Sequence, residues 1–95
     1  MLFDFTVRSW TRPVTDKSYK ATIKNSTNET VEEIGVYVVV LGPHHFGVYI
    51  EVAGMKYAQS DRKTLQDAKC CAAYIVESCI SQTVFDALLA AQKGN

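Results

Sequence analysis

The sequence has no excess of charge of either sign: ten Lys+Arg stand against ten Asp+Glu over 95 residues. The balance is also local, with five of each sign in residues 1–41 and four of each in residues 42–80. A dedicated nucleic-acid binder carries a basic excess or a basic stripe, so composition argues against that class. Long apolar runs are missing as well. The longest strictly apolar run, Val36 to Leu41, is far too short to span a bilayer, and no membrane association is expected. The opening MLFDFTVRSW brings Asp4 early, with no basic leader and no cleavage-like site, so no secretory signal is expected. Cysteine is scarce and odd in number, three in all. No CxxC or Cys/His spacing for zinc occurs, which leaves reduced thiols in a cytoplasmic chain and neither metal nor cofactor. The sequons Asn25-Ser-Thr and Asn28-Glu-Thr share one polar loop and read as turn chemistry.

What is present is alternation. In LFDFTVRSW, Phe3, Phe5 and Val7 fall on one face and Asp4, Thr6 and Arg8 on the other, the period of a half-buried strand. YKATIKN alternates in the same way, with Tyr19, Ala21 and Ile23 against Lys20, Thr22 and Lys24. VEEIGVYVVVL is β-branched and apolar on both faces after Ile34, the composition of a central strand. GPHHFG is a turn, and VYIEVAG and MKYAQS form two strands about Gly54.

The period then lengthens. Ala68, Cys71, Ala72, Ile75, Val76, Cys79 and Ile80 make one helical stripe, with Gln66, Lys69, Ala73 and Glu77 opposite. Thr64 with Asp67 and Thr83 with Asp86 are cap-like pairs. They predict a break near Ser81 to Thr83 and a second helix over VFDALLAAQ, closed by Gly94. The expected fold is α+β: a single domain over residues 1–95, with an antiparallel sheet of four to five strands. One or two C-terminal helices pack on one of its faces.

Catalytic chemistry is not indicated. The thiols fall on the buried stripe or in mid-helix, where a nucleophile is inaccessible. The carboxylates are scattered, and no Gly-rich loop precedes a helix. His44 and His45 are adjacent, diverge in direction and have no third ligand nearby, so they read as a solvated turn. Arg8, Lys20 and Lys24 share a face and form either a small basic patch or the lysine guard of an edge strand. Trp10 ends the first strand, either at the core rim or as an anchor for a partner.

From Tyr37 onward the order of features resembles the second half of a double-stranded-RNA-binding domain. The carriers are Gly42, Pro43, His45 and Tyr49 in GPHHFGVY, then IEV, Gly54, Tyr57 and the helix TLQDAKCCAA. The family's two leading helix lysines fall on Leu65 and Gln66, while Lys69 matches the third. The resemblance implies a β-β-α part over residues 42–95. It also implies a duplex-RNA contact through His45 and Lys69, with Arg62 and Lys63 just upstream. It further implies a helix over residues 13–26, where the residues themselves read as strand or stay ambiguous.

The expected function is therefore a small non-enzymatic binding module, more suited to a protein partner or homodimer than to tight RNA binding. Trp10, Lys20 and Lys24 are its candidate partner contacts. One alternative is a phage-type inhibitor, such as an anti-CRISPR protein, that blocks a nucleic-acid-handling complex. A second is weak duplex-RNA binding through His45, Arg62, Lys63 and Lys69.

Overall fold

Alternation in the first 62 residues becomes one sheet, and the helical stripe after it becomes the layer that covers it. The computed structural model describes residues 3–12 and 17–93. Five strands, β1 (Phe5–Thr11), β2 (Ser18–Asn25), β3 (Ile34–Gly42), β4 (His45–Val52) and β5 (Met55–Arg62), are followed by α1 (Leu65–Tyr74). A π-helical turn (Ile75–Cys79) and α2 (Gln82–Lys93) complete the chain. All neighbours pair antiparallel, in the order β1-β2-β3-β4-β5. The fold is α+β, with β3 in the central position.

The register sorts the side chains. Tyr19 lies opposite Val38, Val36 opposite Ile50 and Ile34 opposite Val52. These positions face the helices, and Ile34, Val36, Val38, Ile50 and Val52 are buried. Ala68, Ala72, Val76 and Ile80 bury the helical side of the same core. Phe85 of α2 reaches Phe5 of β1 at 5.0 Å between ring centroids, tilted by 57°.

Three register irregularities adjust the phase, one of them between Val40 and Gly42 beside the β3–β4 turn. Val7 pairs with Ile23 but Ser9 with Thr22, so Arg8 is an extra residue in β1. The bulge returns Trp10, opposite Ala21, to the helix-covered face. A further irregularity, between Ile50 and Glu51 on β4, leaves Tyr57 free to donate its hydroxyl to the Cys79 carbonyl at 3.3 Å.

Several expectations are corrected. Lys20 and Lys24 lie on β2, an interior strand, so they guard no edge; the edges are β1 and β5. Glu77 and Lys69 do not face solvent. Glu77 Oε2 accepts the Val7 amide at 3.1 Å, and Lys69 packs half-buried over β1 and β2. Cys79 leaves the buried stripe and is exposed. The π turn advances less per residue than the α-helix's roughly 100°, so Cys79 falls behind the core direction and Ile80 takes its place. Phe3 is also exposed, ahead of the paired part of β1.

The caps divide similarly. Thr64 caps α1, its Oγ1 accepting the Asp67 amide at 3.0 Å. α2 is capped by Ser81 rather than Thr83: Ser81 Oγ accepts the Val84 amide at 3.2 Å. Asp4 Oδ2 accepts the Gln82 amide at 2.9 Å, placing a carboxylate at the positive end of α2. The two helical segments meet at a bend of 89°, and among the described residues no single helix is long and apolar enough to cross a membrane. Gly94 lies outside the described residues.

Ser18–Asn25 is strand, as its alternation predicts, in the span where the family resemblance implies a helix. Residues 13–16 of that span lie outside the described residues. The Asn25–Thr30 turn is held by Asn25, whose Oδ1 accepts the Thr27 and Glu29 amides at 3.0 and 2.9 Å.

Candidate functional site

The sequence candidates separate onto two faces of the sheet. On the helix-covered side, the β1 bulge turns Trp10 toward the core and the β2 period does the same for Tyr19. Both rings stay half-buried. Lys69, one turn into α1, lays its Nζ 5.1 Å from the Tyr19 centroid and 5.8 Å from that of Trp10. The Arg12 guanidinium carbon lies 5.5 Å from the same Tyr19 ring. Two cations thus converge on one tyrosine at a corner of the molecule. The quadrupole of a ring attracts each cation, at about 0.5–1 kcal/mol for exposed pairs, and the cations repel each other. Among the described residues the one ion pair is His45–Asp61, and no carboxylate among them stands within salt-bridge distance of Arg12 or Lys69.

The structure therefore joins Trp10 and Lys69, which the sequence places in separate candidate sets. It adds Tyr19 and Arg12, which sequence reasoning missed as site residues. The available signal was the strand period of β2: it puts Tyr19 on the core face at the strand's start, where the rim of the sheet is near.

The remaining duplex-RNA candidates do not gather there. His45 is the first residue of β4, and the hairpin tip is Pro43–His44. His45 Nε2 stands 3.5 Å from Asp61 Oδ2 on the face without helices. Arg62 closes β5 opposite Phe46 and donates from Nη2 to Cys71 Sγ at 3.5 Å. Lys63 is exposed between β5 and α1. His45 and Lys69 thus lie on opposite sides of the sheet.

Lys20 and Lys24 lie on the helix-free face. Lys20 Nζ sits 5.9 Å from the centroid of Tyr37, its partner on β3. Lys24 donates to Thr30 Oγ1 at 2.7 Å.

The cysteines are more accessible than the stripe predicts. Cys70 and Cys79 are exposed and Cys71 is half-buried. A shallow depression lined by Arg62, Asp67, Cys70, Cys71 and Tyr74 surrounds the adjacent pair, and neither histidine borders it. Among the described residues no group of three His, Cys, Asp or Glu side chains is placed to hold a metal ion.

No known family model, curated protein or solved structure matches the chain. The site is accordingly described by its own chemistry: an aromatic corner carrying two cations with no carboxylate partner among the described residues, and a sheet face that no described helix covers.

Proposed function

We propose that this chain is a small non-enzymatic binding module that engages a protein partner through the Trp10–Tyr19 corner. Its second half is a scaffold similar to that of a double-stranded-RNA-binding domain. The observation that carries this reading is the convergence of Arg12 and Lys69 on the Tyr19 ring beside Trp10. Trp, Tyr and Arg are the residue types that dominate binding energy at protein interfaces. The rings supply rigid contact area, and the two cations favour a surface that bears carboxylates. The preferred partner surface is therefore acidic with an apolar centre. The even overall charge fits such a local encounter better than tight duplex-RNA binding.

The test is affinity capture from the native host with wild-type bait and with Trp10→Ala and Lys69→Glu baits. A protein captured by wild type and lost with both variants supports the reading. A protein retained by both argues against it. Duplex RNA is assayed alongside by gel shift at two salt concentrations. A salt-dependent shift that survives Trp10→Ala would favour the duplex-RNA function instead. Light scattering of the purified chain tells whether the partner is a second copy.

A further inference from the structure

The helix-free face carries a second, independent surface. The register aligns Lys20, Tyr37, Tyr49 and Gln59 in one row across β2 to β5. Each tyrosine follows a glycine by two positions on its own strand, and its ring leans back over that glycine. A Cβ on Gly35 would stand 3.0 Å from Tyr37 Cε2, and one on Gly47 would stand 2.8 Å from Tyr49 Cε2. The missing side chains are what let both rings lie low along the sheet. Because β3 and β4 run antiparallel, the rings extend in opposite directions from the shared row. Leu41, 49% exposed, continues the floor beside Tyr49.

Charge on this face is segregated, although the chain as a whole is neutral. On β4 and β5 the carboxylates have basic neighbours: Glu51 lies opposite Lys56, and Asp61 lies 3.5 Å from His45. Lys20 and Lys24, on β2, have no such partner among the described residues. Beyond the Lys20–Tyr37 pair, β2 and β3 part and leave a cleft of about 210 Å³. Its rim offers the hydroxyls of Thr11, Thr22 and Thr30 and the Lys20 ammonium, with Glu32 as its one carboxylate.

We infer that this face binds single-stranded nucleic acid, with bases stacked on Tyr37 and Tyr49 and the sugar–phosphate chain along Lys20 and Lys24. Aromatic floor plus basic flank is the combination that holds unpaired strands without sequence preference, because every base has a π-face. A duplex hides those faces and has no use for the tyrosines. The inference goes beyond the protein-binding corner and involves different residues on the opposite face.

The experiment is fluorescence anisotropy with single-stranded RNA and DNA oligonucleotides of about a dozen residues. A duplex of equal length and heparin serve as competitors, at two salt concentrations. Micromolar single-strand binding, poorly competed by duplex, is expected. Tyr37→Leu and Tyr49→Leu should each weaken it about tenfold or more, while Tyr37→Phe, which keeps the ring, should bind like wild type. Lys20→Gln should lower the salt slope by about one ion. Circular dichroism melts establish that each variant is folded. The exposed Lys20→Gln and the conservative Tyr37→Phe keep the test decisive if a leucine variant is not. The inference is overturned by absence of binding at low salt. It is also overturned if heparin competes fully and the leucine variants bind as wild type does. A concentration-dependent dimer abolished by the tyrosine substitutions would overturn it too, by making a second copy the occupant.

Discussion

Thr6 Oγ1 is buried without a hydrogen-bond partner, although Thr6 alternates with the core residues Phe5 and Val7 and lies opposite Lys24 of β2. A buried hydroxyl that has lost water and gained nothing is a net cost. Thr6→Val keeps the β-branched shape and removes that cost. It should raise stability by about 1 kcal/mol in urea unfolding; a loss of stability would mean the hydroxyl is satisfied after all. Gly54 is the opposite case. With Ala53 at φ 55° and Gly54 at φ 79°, both central residues of the β4–β5 turn are left-handed, the geometry that suits a two-residue hairpin. Gly54→Ala meets no close neighbour, only Gln92 Nε2 at 3.5 Å. Its penalty is therefore backbone strain, about 1 kcal/mol or more by the same assay. Glu29 shows how a turn sets a titration. Hydrogen bonds first from Thr27 and then from Asn25 hold its carboxyl below the ordinary glutamate value. A depressed folded pKa means the turn's added stability is present above the unfolded pKa and fades as pH falls through the folded one. An NMR titration should place the Glu29 midpoint below the ordinary value in the wild type and closer to it in Thr27→Ala. Equal midpoints would remove the hydroxyl as the cause.

At the scale of elements, edge protection comes from a source the sequence did not advertise. β1 is an edge, and its Val7 amide is covered by Glu77 from the π turn rather than by strand lysines. Glu77→Ala should speed hydrogen exchange at Val7 on the order of tenfold, while the β3 amides stay protected. Unchanged exchange at Val7 would show that Glu77 does not close the edge. The strands were legible in the sequence because period-2 alternation is a local signal. Tyr19, Ala21 and Ile23 against Lys20, Thr22 and Lys24 settled β2 even where the family resemblance called for a helix. The Thr64 cap was legible for the same reason. The π turn was not: its wider spacing depends on how α1 packs over the sheet, and no residue type marks it. Cys79 and Glu77 were therefore assigned the wrong surroundings, and the phase shift in β1 at Arg8 was equally invisible.

For the whole molecule, charge is the informative quantity, and its sum conceals its arrangement. Ten positive and ten negative side chains balance in the sequence. Folding nonetheless leaves Arg12 and Lys69 together at one corner, and Lys20 and Lys24 together on the helix-free face. The candidate site was half legible. Trp10 and Lys69 were each visible, but their meeting depends on α1 crossing from β5 to the far side of the sheet, a long-range fact that no local period encodes. His45 marked a turn and little more, because its one charged contact among the described residues is the exposed pair with Asp61, which is worth at most about 1 kcal/mol. The central claim is that the Trp10–Tyr19–Lys69 corner is where a protein partner docks. Its most direct measurement is quantitative capture of that partner by folded Trp10→Ala and Lys69→Glu variants against wild type. Each variant should lose at least tenfold in capture while circular dichroism shows that it remains folded, Trp10→Ala with a lowered melting temperature because its ring packs on the core rim. Capture at wild-type level by both variants would contradict it.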